Sequence, residues 1–170
     1  ALRNISGSNT ISGAVTLASD TLITSDDTDF LDQLTISGDI TGANTNLTLD
    51  GAGFINITGG ITTGSGTLTM DGGGIAFLQG ANTFTGATTI NSGSISVTNG
   101  SALSDTALVT INAPGLLGIQ DSETVGNIAG DGQINLFAGA TLTAGDATPS
   151  STFSGAIVDN SPGDAGSLTK

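Results

Sequence analysis

The chain contains no cysteine, histidine, tryptophan or tyrosine, and only two of its 170 residues are basic. The lack of cysteine excludes a disulfide framework and a thiolate zinc site. Without histidine, and with Arg3 and Lys170 as the sole basic residues, nucleophilic triads and most metal sites cannot be assembled. A net charge of −13 with no basic patch argues against nucleic acid and anionic membranes as partners, because both are bound through Lys and Arg.

Long apolar runs and helical periodicity are also missing. No run approaches the roughly eighteen apolar residues of a transmembrane helix, so we expect no membrane insertion by this segment. No apolar face recurs at helical spacing, and the dominant residues (glycine, serine, threonine, asparagine and β-branched residues) disfavour helices. Short alternating runs closed by turn residues, such as "LTLDGAG" and "TTINSG", recur along the chain and predict an all-β protein.

The alternating runs recur at a nearly constant spacing, which predicts two columns of inward apolar residues with steps close to 20 residues. The predicted fold is therefore a single right-handed parallel β-helix, or β-solenoid, of about eight coils and roughly 40 Å in length. Both columns shorten between residues 111 and 136, which predicts one shorter coil. The first column is Ile36, Ile57, Phe77, Val97, Ile119, Leu136 and Ile157, and the second is Leu49, Met70, Ile90, Ile111, Ile128, Leu142 and Leu168.

A polar pattern accompanies the second column. A threonine precedes the apolar residue and an Asp or Asn follows it, which predicts an outward threonine ladder and turns that begin at the Asx side chain. The phase of the first 35 or so residues is open: spacing places Leu17 in the first column, whereas motif alignment, which we favour, places it in the second beneath Ile90. The two polar sets are Thr48, Thr69, Thr89 and Thr110, and Asp50, Asp71, Asn91 and Asn112.

Residues 1–170 are expected to form one solenoid segment that is interrupted near 24–33 and 145–166 by loops or loosened coils. The acidic cluster in the first interruption could coordinate calcium, as could a stacked pair formed by Asp50 and Asp71. The cluster lacks the Gly and the distal Glu of an EF-hand, and a solvated acidic loop is the preferred interpretation. No metal, cofactor or catalytic residue is assigned. The cluster consists of Asp26, Asp27, Asp29 and Asp32.

Three segments share a motif, at residues 6–17, 79–90 and 150–158, and align on Gly13, Gly86 and Gly155. The middle copy, "GANTFTGATTINSG", resembles the passenger-associated repeat of bacterial autotransporters and of large surface proteins with tandem autotransporter-like β-strand repeats. The first copy has Ile11 at the aromatic position, and the third lacks the Asn. The resemblance implies a right-handed parallel β-helix that lies outside the cell, on a bacterial surface.

The two termini also resemble parts of one repeat: "GSLTK" (166–170) looks like the start of a copy and "ALRNISGSNT" (1–10) like its continuation. We therefore expect one segment of a longer array, or a subunit whose end coils are completed by its neighbours. Open solenoid ends expose unpaired backbone, which favours end-to-end self-association.

Catalysis is not expected, because only carboxylates remain as reactive groups: fourteen Asp and one Glu, Glu123. The predicted function is that of a non-enzymatic extracellular stalk or filament segment. An adhesin that contacts a host molecule or glycan through its acidic loops is the alternative. A polysaccharide-active enzyme and an ice-binding protein, the latter suggested by the threonine column, rank below both.

Overall fold

The computed structural model describes residues 1–145, 150–161 and 163–170. These residues form 21 short strands and no helix, and every strand pairing is parallel. It follows that no helix of the described ranges could span a bilayer. The all-β prediction is confirmed.

The strands have two to five residues each. In the N-terminal half they are β1 (Leu2–Asn4), β2 (Asn9–Ile11), β3 (Val15–Leu17), β4 (Thr21–Ser25), β5 (Gln33–Ile36), β6 (Ile40–Gly42), β7 (Leu47–Asp50), β8 (Phe54–Ile57), β9 (Ile61–Thr62), β10 (Leu68–Met70) and β11 (Ile75–Leu78). In the C-terminal half they are β12 (Thr88–Ile90), β13 (Ser94–Val97), β14 (Leu108–Ile111), β15 (Leu116–Ile119), β16 (Glu123–Val125), β17 (Asn127–Gly130), β18 (Gln133–Leu136), β19 (Thr141–Ala144), β20 (Ala156–Asp159) and β21 (Ser167–Thr169).

The strands lie on three faces that the chain visits in turn. The first sheet has seven strands in the order β1-β4-β7-β10-β12-β14-β17, and the second has eight in the order β2-β5-β8-β11-β13-β15-β18-β20. The third face carries two three-stranded sheets, β3-β6-β9 and β16-β19-β21. Consecutive coils therefore stack into a β-solenoid of about seven turns, slightly fewer than the eight coils predicted.

Two of the predicted first-column residues are wrong. The inward column of the second sheet runs through Ile57, Leu78 and Val97, so Leu78 takes the place predicted for Phe77, which faces outward. The coil from Ile57 to Leu78 has 21 residues and the next, from Leu78 to Val97, has 19, so two steps of 20 select the neighbour of Leu78 in the alternating run. Ile157 pairs with Ile134, while Asp159 pairs with Leu136. The remaining first-column predictions, Ile36, Ile119 and Leu136, are confirmed.

The second column is correct for its first four members, Leu49, Met70, Ile90 and Ile111, which are aligned and fully buried. Its last three predicted members are wrong. Ile128 pairs with Val109, and Gly130 continues the column instead, while Leu142 and Leu168 lie on the third face. Leu17 also lies on the third face, in β3, and so belongs to neither predicted column. Most coils carry a strand on a third face as well, and a scheme of two columns assigned third-face residues to the wrong sheet.

The polar pattern of the first sheet is confirmed. Its four threonines are aligned from strand to strand, one residue before the buried apolar column. At the following corner the Asn112 amide donates to Asn91 at 2.8 Å, and the Asn91 amide donates to Asp71 at 2.6 Å. Three of the four Asx side chains, those of Asp71, Asn91 and Asn112, thus form a hydrogen-bonded ladder along one edge of the solenoid, parallel to the backbone ladder.

Glycine occupies corners where successive coils approach too closely for a side chain. A Cβ at Gly80 would lie 2.1 Å from the Gly59 carbonyl oxygen, and one at Gly59 would lie 2.3 Å from that of Gly38. Real Cβ atoms do not approach an oxygen so closely, so these corners require glycine, whereas a Cβ at Gly73 would meet nothing within 4 Å. The high glycine content is in part a consequence of coil stacking.

The three copies of the shared motif are not structurally equivalent. Gly13 follows β2 at the corner into the third face, Gly86 precedes β12 in the first sheet, and Gly155 precedes β20 in the second sheet. Their spacings of 73 and 69 residues correspond to about three and a third coils, so each copy lies one face further along the coil. This explains why the motif alignment misplaced Leu17.

Candidate functional site

The acidic loop at residues 24–33 begins within β4 and leads into β5, and its carboxylates are bound to the protein itself. Asp27 accepts hydrogen bonds from the backbone N–H groups of Gly7 at 2.7 Å and Asp29 at 3.0 Å. These bonds lower the pKa of Asp27, with Gly7 contributing most. Asp26 pairs with the Arg3 guanidinium at 2.6 Å. The loop is therefore tied to the first coil.

The other acidic residues that were considered as calcium ligands also have separate partners. Asp29 accepts from the Leu31 N–H at 3.0 Å, and Asp32 accepts from the Ser8 hydroxyl at 3.0 Å. Asp50 accepts from the Gly51 N–H at 2.7 Å, while Asp71 takes part in the Asx ladder. No group of three or more acidic residues within the described part of the chain is arranged to hold a metal ion. The structure therefore does not bring the acidic cluster together as a calcium site.

Two large apolar side chains are displayed by the acidic loop. Leu31 is 81% exposed, and Phe30 is 58% exposed although its ring makes an edge contact with Phe54, with the ring centroids 5.0 Å apart. The sequence indicated only the charge of this loop. The loop instead presents an apolar pair beside four carboxylates, at the N-terminal end of the solenoid.

The third face is interrupted at the motif "NTFTG", where the two third-face sheets fail to meet. Asn82 spans this gap with its side chain: its amide oxygen accepts from the Ile61 N–H at 2.7 Å, and its amide nitrogen donates to the Ala102 carbonyl at 2.8 Å. The aromatic residue of the motif, Phe84, is 3% exposed. The motif therefore has an architectural role, since the Asn82 amide adds to the backbone bonds that link Asn82 and Thr83 to the adjoining coils, and the Phe84 ring fills the core.

Glu123 forms a corresponding link on the C-terminal side of this gap in the third face. It occupies an inward position of β16 in register with Leu142, and it is 2% exposed. Its two carboxylate oxygens accept hydrogen bonds from the backbone N–H groups of Ala102 and Leu103, both at 3.2 Å. Burial raises the pKa of Glu123 from 4.5 to about 7; the two backbone bonds oppose this rise and the Asp105 charge adds to it.

The structural roles of the Glu123 and Asn82 side chains were not predicted from the sequence. The available signal was the position of Glu123 in "ETV", two residues before Val125 in an alternating run whose inward residues are apolar. An acid at an inward position must find donors, and here the strandless segment of the preceding coil supplies them. Glu123 resembles a catalytic acid in its raised pKa, but its enclosure and its two backbone partners fit a structural role.

The predicted loop at 145–166 proves to contain part of the last coil. Strand β20 lies within it and extends the second sheet, and Phe153 forms an isolated bridge with Gly130 at the end of the first sheet. Residues 146–149 and Pro162 lie outside the described residues. Residues 156–159 thus form a regular strand within the predicted interruption, in parallel register with β18.

The C-terminal end of the solenoid is open. A cavity of about 420 Å³ lies at this end, lined by residues of the last two coils that include Ile128, Phe153 and Leu168. Leu168 is 47% exposed and Ile157 is 37% exposed, although both occupy inward positions. Their exposure follows directly from the absence of a further coil above them among the described residues.

The N-terminal end is open in the same way. Strands β1, β2 and β3 each pair on one side only, with β4, β5 and β6 respectively. Their inward residues Leu2, Ile11 and Val15 are only partly buried. Each of the three faces therefore ends in an unpaired strand edge with partly exposed apolar side chains, and the C-terminal end offers an edge on the same three faces.

The comparisons with known proteins give no family. No family model matches the chain, and neither a curated protein nor a solved structure shows significant similarity to it. The resemblance of "GANTFTGATTINSG" to the autotransporter repeat therefore stays a prediction, and the candidate functional features are those that the geometry itself supplies: two open ends and one acidic loop with an exposed apolar tip.

Proposed function

We propose that this chain is a non-enzymatic structural segment of an extracellular β-solenoid rod, on a bacterial cell surface, and that further solenoid coils extend it at its ends. Those coils come from neighbouring repeats of the same chain or from a second copy. The observation that carries the proposal is the correspondence of the two ends, which offer unpaired edges on the same three faces.

Continuation of the coil stack gives a definite pairing for each face. On the third face, β21 of one segment would pair with β3 of the next. This pairing places Leu168 over Val15 and continues the column in which Leu142 and Leu168 are aligned. On the first sheet, Phe153 covers Leu2. These contacts would bury apolar side chains that are now exposed, and burial of apolar surface together with backbone pairing is the general basis of strand addition.

The absence of cysteine makes a sharp test possible. Thr16 and Thr169 both face outward on the third face, in the two strands that would pair across a joint. Neighbouring parallel strands lie about 4.8 Å apart, within the Cα separation that a disulfide spans. A chain carrying Thr16→Cys and Thr169→Cys should therefore form a ladder of covalent oligomers on mild oxidation.

A matched control uses Thr10→Cys with Thr169→Cys. Thr10 is also exposed and lies on an N-terminal edge strand, but it belongs to the second sheet. We expect at most random, weak cross-linking from this pair. Equal cross-linking by the two pairs would contradict end-to-end continuation.

A second candidate function is adhesion through the acidic loop. The observation that favours it is the exposed pair Phe30 and Leu31, held by a hydrogen-bonded loop. Leu31→Ser should abolish binding to a host surface or glycan array without a change in melting temperature, because Leu31 is the more exposed of the two. Retention of binding by this variant, or no binding by the parent chain, would exclude the loop as the contact.

A further inference from the structure

The C-terminal end carries one residue that does not fit the core column it terminates. In the second sheet, six apolar residues stack in register and are at most 3% exposed. The next position in the same register is Asp159, which pairs with Leu136 across β18 and β20. The six residues are Ile36, Ile57, Leu78, Val97, Ile119 and Leu136.

Asp159 is not displaced from the column by an irregular strand. All four residues of β20 are paired in regular parallel register with β18, and Ile157 stacks on Ile134 in the neighbouring inward column. The Asp159 carboxylate remains exposed and accepts one local hydrogen bond, from the Ser161 N–H at 3.0 Å. A charged side chain therefore stands at an inward position and stays solvated, because no coil of the described residues covers it.

A second copy stacked on this end would bury that charge. Strand β20 would pair with β2, and continuation of the register places Asp159 against Ile11 and Ile157 against Asn9. Burial of a carboxylate against an apolar side chain is strongly unfavourable without a cation or a set of donors.

The incoming end supplies no free basic side chain for Asp159. Arg3, the one basic side chain of that end, is on the first sheet and already bound to Asp26 at 2.6 Å. Lys170 follows β21 on the third face, with its side chain near Gly145. The chain has no other lysine or arginine.

We propose that Asp159 limits the stacking of a second copy of this chain on the C-terminal end, as an inward-pointing charge that protects an otherwise adhesive edge. Charges at inward positions are one of the devices by which natural sheet edges avoid uncontrolled pairing. The inference rests on the proposed function, since it concerns the same end-to-end joint. Asp159 shifts the self-association equilibrium of the chain towards single segments.

The test compares Asp159→Val with Asp164→Val. Asp164 is exposed in the bend between β20 and β21 at the same end of the molecule, so the control makes the same change of charge and side chain outside the core column. In sedimentation equilibrium at neutral pH, Asp159→Val should lower the dissociation constant for self-association at least about tenfold. Asp164→Val should change it less than about twofold.

Asp159→Asn keeps the shape and removes the charge, and it should shift association in the same direction by a smaller factor. It also protects the test against misfolding of the valine variant, which circular dichroism would reveal. Unchanged association for both Asp159 variants, or an equal gain for Asp164→Val, would overturn the proposal.

The cysteine pair separates this inference from the proposed function. If Thr16→Cys with Thr169→Cys forms a specific ladder but neither Asp159 variant tightens association, the role of Asp159 is wrong and the end-to-end joint stands. If the ladder is specific and grows when Asp159→Val is added, both are supported. If no ladder appears in either background, the joint itself is wrong.

Discussion

Replacement of Glu123 by glutamine gives the most quantitative prediction about the fold. The carboxyl of Glu123 is enclosed, and its pKa is raised to about 7 from 4.5. Between these pH values the folded chain holds a proton that the unfolded chain releases. The stabilising contribution of Glu123 is therefore fully present below pH 4.5 and is lost as the pH rises through 7.

The magnitude follows from the size of this shift. A rise of this kind corresponds to about 3 kcal/mol at most, and for a chain of this size that is a fall in melting temperature of about 6 to 12 °C between pH 4.5 and pH 8. Glu123→Gln cannot titrate, so its melting temperature should change much less across the same range. It keeps one oxygen acceptor, and the second backbone N–H loses its partner at every pH, at a constant cost of about 1 kcal/mol.

The assay is thermal unfolding by circular dichroism for both chains across this pH range, with the difference between the two curves as the readout. Asp105→Asn is the control, because removal of the Asp105 charge lowers the pKa of Glu123 and should move the fall to lower pH. Parallel curves for the parent chain and Glu123→Gln would refute the reasoning, because Glu123 would then not retain a proton in the fold.

Three further substitutions test the core, the corners and the third face by chemical denaturation. Ile57→Asp should unfold adjacent coils, because Ile57 is 1% exposed and a buried unpaired charge costs about 3 kcal/mol or more; Thr58→Asp, at an exposed corner, should be tolerated, and equal stability of the two variants would contradict the inward assignment. Gly80→Ala should cost about 1 to 3 kcal/mol through overpacking, whereas Gly73→Ala should be nearly neutral; tolerance of both would show that the coils are less tightly stacked. Asn82→Ala should cost about 2 kcal/mol, because it leaves a backbone donor and a backbone acceptor without partners; no loss of stability would argue against its bridging role.

Sequence alone predicted the solenoid and most of the first sheet, for a reason that is visible in particular residues. At the ends of β7 and β10 a threonine, an apolar residue and an Asx residue precede a glycine, so each position indicates whether its side chain faces inward, outward or into the turn. The alignment of Thr48 with Thr69 and of Leu49 with Met70 follows from that pattern. Where each position has a distinct chemistry, register can be predicted.

The third face could not be predicted in the same way. Its strands are as short as Ile61–Thr62, and two coils have no strand there at all among the described residues. A short run with only one inward residue shows no periodic pattern. For this reason Leu142 and Leu168, which lie on the third face, were assigned to the wrong column. Asn82 and Glu123 were missed because their roles depend on partners about 20 residues away, in adjoining coils.

The candidate site was predictable only in part for a related reason. The acidic loop was located from its length and charge, but its exposed apolar pair and its ties to Gly7 and Ser8 are tertiary features. Asp159 reads in the sequence as an ordinary residue after "AIV", and only the register with Leu136 reveals that it terminates a core column.

Electron microscopy of the protein in its native setting tests the central claim most directly. One described segment contributes about seven turns, which correspond to roughly 34 Å at ~4.8 Å per turn. We predict continuous rods that are longer than one segment, with an axial spacing of ~4.8 Å that runs through the joints without a gap. Isolated particles one segment in length, whose ends are free or covered by a protein of a different fold, would contradict the account.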